Sequence, residues 1–171
     1  YRSDKMVPEF HRMLYATDLS ADSIEAIRYA IKFATEHKAN LMVLHVINQR
    51  LIAFSKIRST LFNETPKYKI IQEESDVALK RMENLIKIVC KKDSKNHRAD
   101  IKNVEHLVVN YGRIAEEIAE KANRWGCELI ILGPRRKRLL GWIFLPSISR
   151  KVIRRTDKPV HIIKLPKGEN Q

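Results

Sequence analysis

The chain has 171 residues, of which 44% are apolar, and a formal net charge of +13. This length is typical of one domain with a buried core, and the apolar content excludes wholesale disorder. The two cysteines are too few for a disulfide framework, and no apolar run approaches the roughly 20 residues of a membrane span. We therefore expect a single domain over residues 1–171, with its core at about residues 11–165, in a reducing compartment.

Short apolar segments alternate with longer amphipathic ones from the start of the chain. The segment His11–Thr17 predicts a strand that ends at Asp18. Apolar residues at helical spacing, preceded by a cap at Ser20, predict a helix over Ala21–His37. The nearly continuous apolar run Asn40–Ile47 is typical of a parallel strand covered on both faces.

The middle of the chain contains one ambiguous segment and three clear ones. Apolar and basic residues are mixed in Arg50–Phe62, and the pattern leaves a short helix and an ordered flap both open. The periodicity predicts a long helix over Lys67–Lys92, a strand over Ile101–Val109, and a helix from about Gly112 to Arg124.

The last elements complete an alternating order of strands and helices. We predict a strand at Leu129–Leu132, a helix at Pro146–Thr156 and a strand at Pro159–Leu165. Such alternation implies right-handed crossovers and a parallel sheet with helices on both faces. The fold class predicted from the pattern is therefore an open α/β sheet.

Ligands of open parallel sheets bind beyond the carboxyl ends of the strands. The residues there are Ala16, Thr17, Asp18 and Leu19 at the end of the first strand, Val46, Ile47 and Asn48 at the end of the second, and Gly133, Pro134 and Arg135 after the fourth. The Asp18 carboxylate has two interpretations, as the acceptor for the hydroxyls of a nucleoside or as the cap of the following helix.

The positive charge is concentrated in one segment. Pro134–Lys158 contains nine basic residues and one acidic residue. Four of the basic residues directly follow the fourth strand, and we expect them to form an anion-binding surface at the same edge of the sheet: Arg135, Arg136, Lys137 and Arg138.

Several motifs, in this order, resemble the universal stress protein family. They are the TDLS turn after the first strand, the LHVI end of the second strand, and a final pattern in which a glycine is followed by a loop, a helix and the segment DKPVHIIK. The resemblance extends from about His11 to Lys164. It implies a Rossmann-like sheet of five parallel strands in the order 3-2-1-4-5, four main helices, a homodimer joined through Pro159–Leu165, and a cytoplasmic role in stress adaptation.

One branch of this family binds ATP through a G-x2-G-x9-G-[S/T] motif after the fourth strand. In this chain the first glycine is Gly133, but Arg136 and Pro146 stand at the second and third glycine positions, followed by Ser147. Proline has no amide hydrogen to donate to a phosphate. The Arg136 side chain either fills the phosphate space or replaces backbone contacts with charge-assisted ones.

The resemblance implies binding of ATP or another adenine nucleotide at a weakened or altered site. The matched positions are Ala16, Thr17, Asp18, Val46, Leu132, Gly133, Arg136, Ser147 and Ile148. We favour a weakened ATP site over an altered anion site.

No metal site and no catalytic residues are predicted. The six histidines have no zinc-ligand spacing, and no nucleophile and base can be paired, so we expect a regulatory module rather than an enzyme, although slow nucleotide hydrolysis stays open. His45 and His161 are expected to be core residues.

An alternative function is suggested by Arg135–Pro146, in which four basic residues precede an apolar run with Trp142 and Phe144. These aromatic residues either pack against the sheet or the dimer contact, or form an exposed patch. An exposed patch would dock without nucleotide on an anionic membrane, a nucleic acid or a protein partner.

Overall fold

The computed structural model describes residues 9–20, 23–50, 67–93, 101–133 and 147–164. These ranges contain one sheet of five parallel strands in the order β3-β2-β1-β4-β5. The fold class predicted from the sequence is therefore confirmed. The strand bounds are β1 Arg12–Thr17, β2 Asn40–Asn48, β3 Val104–Gly112, β4 Leu129–Leu132 and β5 Val160–Ile162.

Helices cover both faces of the sheet because successive side chains of a strand point to opposite faces. Residues such as Tyr15 and Val43 pack with α1 and α2 on one face, whereas Leu14 and Leu44 pack with α3 and α4 on the other. The helix bounds are α1 Ser23–Glu36, α2 Lys67–Asp93, α3 Ile114–Trp125 and α4 Ser147–Ile153, and a short 3-10 turn occupies Ile101–Asn103.

The predicted inward faces of the helices agree with the burial of their residues. Of the apolar residues at helical spacing in α1, Ile27, Ala30, Ile31 and Ala34 are buried, and Ile24 is half-buried against the same core. On α2, Met82 and Val89 are fully buried. The amphipathic pattern of each helix thus identified which face contacts the sheet.

The bounds of β3 differ from the prediction at both ends. Residues 101–103 form the 3-10 turn, and the strand itself begins at Val104 and continues to Gly112 instead of ending at Val109. The continuation follows from pairing with β2, whose last residue Asn48 lies opposite Gly112. Helix α3 consequently begins at Ile114, two residues later than predicted.

The last two elements are shorter than predicted. Helix α4 ends at Ile153 rather than Thr156, and β5 covers Val160–Ile162 within the predicted Pro159–Leu165. The length of β5 follows from its pairing with β4, which ends at Leu132 opposite Ile162. Leu165 lies outside the described residues, as does nearly all of the ambiguous segment Arg50–Phe62.

Helix α3 ends at a glycine that allows the chain to turn back into the sheet. Gly126 has φ 66° and ψ 36°, and its N–H donates to carbonyls of the last helical turn. This left-handed conformation is accessible to glycine at little cost and is a common helix end. The turn directs the chain into β4, whose first residue Leu129 pairs with Met13 of β1.

Candidate functional site

A cleft of 430 Å³ opens at the carboxyl ends of β1, β2 and β4. Its volume is within the range of about 300–1,000 Å³ that small-molecule sites occupy. The described residues that line it include seven of the nine sequence-predicted site residues: Ala16, Thr17, Asp18, Val46, Leu132, Gly133 and Ile148. The remaining two are Arg136, which lies outside the described residues, and Ser147, of whose side chain the structure gives no description.

The turn after β1 is held by a chain of side-chain hydrogen bonds. The Thr17 hydroxyl donates to Ser23 Oγ at 3.2 Å, and the Ser23 hydroxyl donates to Asp18 Oδ1 at 3.3 Å. The N–H of Leu19 donates to Thr17 Oγ1 at 3.1 Å. Leu19 has φ 56°, a left-handed conformation unusual for leucine. The bonds around Thr17 stabilise this strained turn at the mouth of the cleft.

The position of Asp18 is compatible with both roles that the sequence suggested, a helix cap and an acceptor for ligand hydroxyls. Its Oδ1 accepts hydrogen bonds from Ser23 and from the Ser20 N–H at 3.0 Å, which is the arrangement expected of a carboxylate at a helix entry. The residue is exposed and lines the cleft. The bonds to Oδ1 therefore hold a carboxylate in place where a ligand could reach it.

The end of β2 adds an imidazole that the sequence analysis did not assign to the site. His45 is half-buried and lines the cleft, and its Nδ1 lies 2.9 Å from the carbonyl oxygen of Thr17. A carbonyl oxygen only accepts hydrogen bonds, so Nδ1 carries the hydrogen and Nε2 is an acceptor in the neutral ring. The expectation that His45 is a core residue is therefore wrong, because the side chain is half-buried and lines the cleft at the carboxyl end of β2. His161, expected in the core as well, is also half-buried.

The packing around Gly133 leaves little room for a side chain. A Cβ at this position would lie 3.1 Å from the hydroxyl oxygen of Tyr15, a fully buried residue of β1. Burial raises the pKa of the Tyr15 hydroxyl. The floor of the cleft at β4 is thus set by a buried phenol directly beneath the backbone.

Helix α2 forms a wall that the sequence analysis missed. Glu74, Val77, Ala78 and Arg81 share one face of this helix at spacings of three and four residues, and all four line the cleft. The helix periodicity indicated the inward stripe but not which part of it passes the sheet edge. Their charged members give the cleft a carboxylate and a guanidinium opposite the strand ends.

Ser149 is a further residue that the sequence analysis did not assign. It is 4% exposed, lies in the first turns of α4 and lines the cleft beside Ile148. The sequence motif directed attention to Ser147, since a hydroxyl there matches the family pattern. The rotation of α4 against the sheet decides that Ser149 also reaches the cleft.

A second concavity of 480 Å³ adjoins the cleft. Asn48, Ile114 and Ile148 line both. The additional residues of this concavity, which we name the basic hollow, are Gln49, Arg50, Arg113, Ala115, Glu116, Lys151 and Arg155.

The described residues contain no cluster of three or more histidine, cysteine or acidic side chains that could hold a metal ion. Burial raises the pKa of the Cys127 thiol to about 11, so this cysteine is protonated at neutral pH. No helix in the described ranges is long and apolar enough to cross a membrane.

A family model described as "Universal stress protein family" matches residues 9–164. Universal stress protein MJ0577 of Methanocaldococcus jannaschii is 29% identical over 163 residues, which cover 91% of this chain and 95% of that protein. A solved structure of MJ0577 has a TM-score of 0.68 at 24% identity and covers 94% of this chain and 100% of that one.

Two further solved structures of the same fold contain nucleotides. A universal stress protein of Archaeoglobus fulgidus in complex with dAMP has a TM-score of 0.53 at 18% identity, covering 92% of this chain and 100% of that one. A universal stress protein in complex with cAMP has a TM-score of 0.55 at 17% identity, with 92% and 98% covered. The family model matches almost the whole length of this chain, and the strand order agrees with the one that the resemblance implied. The chain belongs to the universal stress protein family.

Proposed function

We propose that this protein is a regulatory module of the stress response that binds an adenine nucleotide in the cleft, with phosphate contacts altered from the glycine-rich pattern. The observation that carries the proposal is the carboxylate of Asp18, fixed by two hydrogen bonds at the mouth of a cleft formed by three strand ends. Two proteins of the same fold bind dAMP and cAMP, which supports an adenine nucleotide as the ligand class.

The chemistry of the lining suits a nucleoside. The apolar side chains of Val46, Leu44 and Ile118 provide surface for a base, and Asp18 provides an acceptor for sugar hydroxyls. His45 Nε2 and Glu74 offer further acceptors, and Arg81 offers a donor. A base and a ribose together need this combination of apolar surface and a few placed polar groups.

The proposed phosphate contacts differ from the family motif. Arg136 and Pro146 replace two of its three glycines, so backbone amides are fewer and less closely approached. Both residues lie outside the described residues. We favour weaker ATP binding than in the glycine-rich branch, and micromolar binding of magnesium-ATP would overturn that part of the proposal.

Calorimetry on the full chain with adenosine, AMP, cAMP and ATP tests the proposal, with Asp18→Asn as the informative variant. Asparagine keeps an oxygen for the Ser20 N–H and Ser23, because it caps helices as well as aspartate does. It removes the charge that would strengthen bonds from sugar hydroxyls. We expect about a ten-fold loss of adenosine affinity, since a hydrogen bond to a charged group contributes about 1.5–3 kcal/mol.

Asp157→Asn is the matched control, because Asp157 is exposed and lines neither concavity. The control should retain wild-type affinity. Equal affinities of all three proteins would show that Asp18 does not contact the ligand. Absence of binding by every adenine compound would show that the proposed function is wrong.

A docking function without nucleotide is the second candidate, and the local concentration of charge favours it. Nine basic residues lie within Pro134–Lys158. The docking segment Arg135–Phe144 lies outside the described residues. Co-sedimentation with anionic vesicles or with nucleic acid should decline with rising salt if this function is real, and no binding at low ionic strength would exclude it.

We also propose a homodimer through the last strand. Strand β5 is an edge strand with β4 as its only described neighbour, and its three residues are half-buried. Unpaired edge strands favour association with another strand. Light scattering that shows a strict monomer would exclude the dimer, and the cytoplasmic location stays a prediction from the family.

A further inference from the structure

The basic hollow carries an excess of positive charge. Four cationic side chains line it, Arg50, Arg113, Lys151 and Arg155, against the single carboxylate of Glu116. They come from three separate parts of the chain: the segment after β2, the N-terminal end of α3, and α4 with the turn that follows it. Tertiary folding therefore concentrates them at one place beside the cleft.

Glu116 does not neutralise this charge. Its Oε1 lies 3.2 Å from Arg113 Nη1 and 3.4 Å from Arg155 Nη2, so one carboxylate is shared by two guanidinium groups. Within the described ranges, Arg50 and Lys151 have no ion pair with a carboxylate. The hollow thus retains donors and positive charge for an external anion.

The N-terminal end of α3 adds to the positive electrostatic potential in the hollow. Arg113 is the N-cap residue, and its side chain makes no capping hydrogen bond. Ile114 and Ala115, the first helical residues, line the hollow. Amide groups at a helix N-terminus are without intrahelical acceptors and favour an anion near them. The amide groups of the helix and the basic side chains therefore both favour a bound anion in the hollow.

The hollow and the cleft are adjacent. Asn48, Ile114 and Ile148 line both, so a ligand that extends past these three residues would occupy both concavities. We infer that the basic hollow is the anion subsite of the cleft and binds the phosphate groups of a nucleotide whose nucleoside part lies against Asp18. The inference rests on the proposed function.

Guanidinium groups suit this role because their planar donors match two phosphate oxygens at once. Charge-assisted bonds from α3, α4 and the segment after β2 would replace contacts that the glycine motif makes with backbone amides. The subsite accordingly selects a nucleotide with several phosphate charges over a nucleoside.

The test measures the affinity ratio of ATP to adenosine by calorimetry on the full chain. The informative variant is Lys151→Gln/Arg155→Gln, and Arg50→Gln is an independent second variant on another segment. The matched control is Lys87→Gln/Arg124→Gln, which removes the same charge from α2 and α3. Arg124 pairs with Glu120 as Arg155 pairs with Glu116, and neither control residue lines the cleft or the basic hollow.

We expect the double variant to reduce the ATP to adenosine ratio about ten-fold or more, from the loss of charge-assisted bonds, with adenosine affinity unchanged. The control should change the ratio much less. An unchanged ratio, or an equal fall in the control, overturns the subsite while the proposed function stands. The same holds if wild type binds ATP no more tightly than adenosine. If neither compound binds, the proposed function is wrong and the subsite inference fails with it.

Discussion

Replacing Thr17 with valine tests whether the hydroxyl network holds the turn at the cleft. Thr17 is 7% exposed, and valine has nearly the same shape, so packing changes little. The substitution removes both the donor to Ser23 Oγ and the acceptor of the Leu19 N–H. Two lost hydrogen bonds, which leave the half-buried Leu19 N–H without its acceptor, together cost about 2–3 kcal/mol.

Urea unfolding measures this loss directly, and thermal unfolding should show a fall in Tm of about 5–10 °C for a domain of this size. Thr35→Val is the matched control. The Thr35 hydroxyl donates to the carbonyl oxygen of Ile31 within α1, at 2.9 Å, and such bonds contribute little to helix stability. An equal loss of unfolding free energy in both variants would show that the hydroxyl network does not hold the turn. A loss of less than about 0.5 kcal/mol in Thr17→Val, the lower limit for one hydrogen bond, would show the same.

Three further substitutions have distinct expected effects. The carboxylate of Glu128 accepts hydrogen bonds from the backbone N–H groups of His11 and Arg12; desolvation opposes them, but they hold its pKa below the ordinary value. This stabilisation is complete above about pH 4.5 and is lost as pH falls through the lowered pKa, so Glu128→Gln should flatten the acid limb of urea-unfolding stability between pH 6 and 3. Desolvation lowers the pKa of His161, whose Nε2 lies 3.1 Å from the Tyr29 hydroxyl, so folding opposes its protonation. Stability should therefore fall as pH drops below about 6.5, and His161→Gln should remove that part of the slope; an unchanged slope would contradict it. Gly133→Ala should lower the free energy of unfolding by about 1 kcal/mol in urea, since the new Cβ crowds the Tyr15 hydroxyl at 3.1 Å, and a neutral result would show that Tyr15 moves freely.

The periodicity of apolar residues alone was sufficient to predict the helices and strands and their arrangement in layers. An apolar stripe every three to four residues in α1 and α2, and short apolar runs in β1, β2 and β4, are typical of a parallel sheet between helices. The topological rule for open sheets then located the cleft at the strand ends, because parallel strands all present their carboxyl ends at one edge. The ends of β3 and β5 were missed, since pairing with a neighbour, rather than local pattern, sets a strand's length.

The turn after β1 and the ends of the strands can be recognised from short stretches of sequence. Thr17, Asp18 and Val46 could therefore be assigned to the site from the sequence. Only the tertiary structure decided that Arg81 from α2 and Arg113 from the start of α3 lie beside them. Such residues are separated by tens of positions along the chain, and charged side chains on helix surfaces carry no pattern that distinguishes a solvated face from a binding wall. Their position follows from how each helix packs on the sheet, a property of the whole core rather than of any segment.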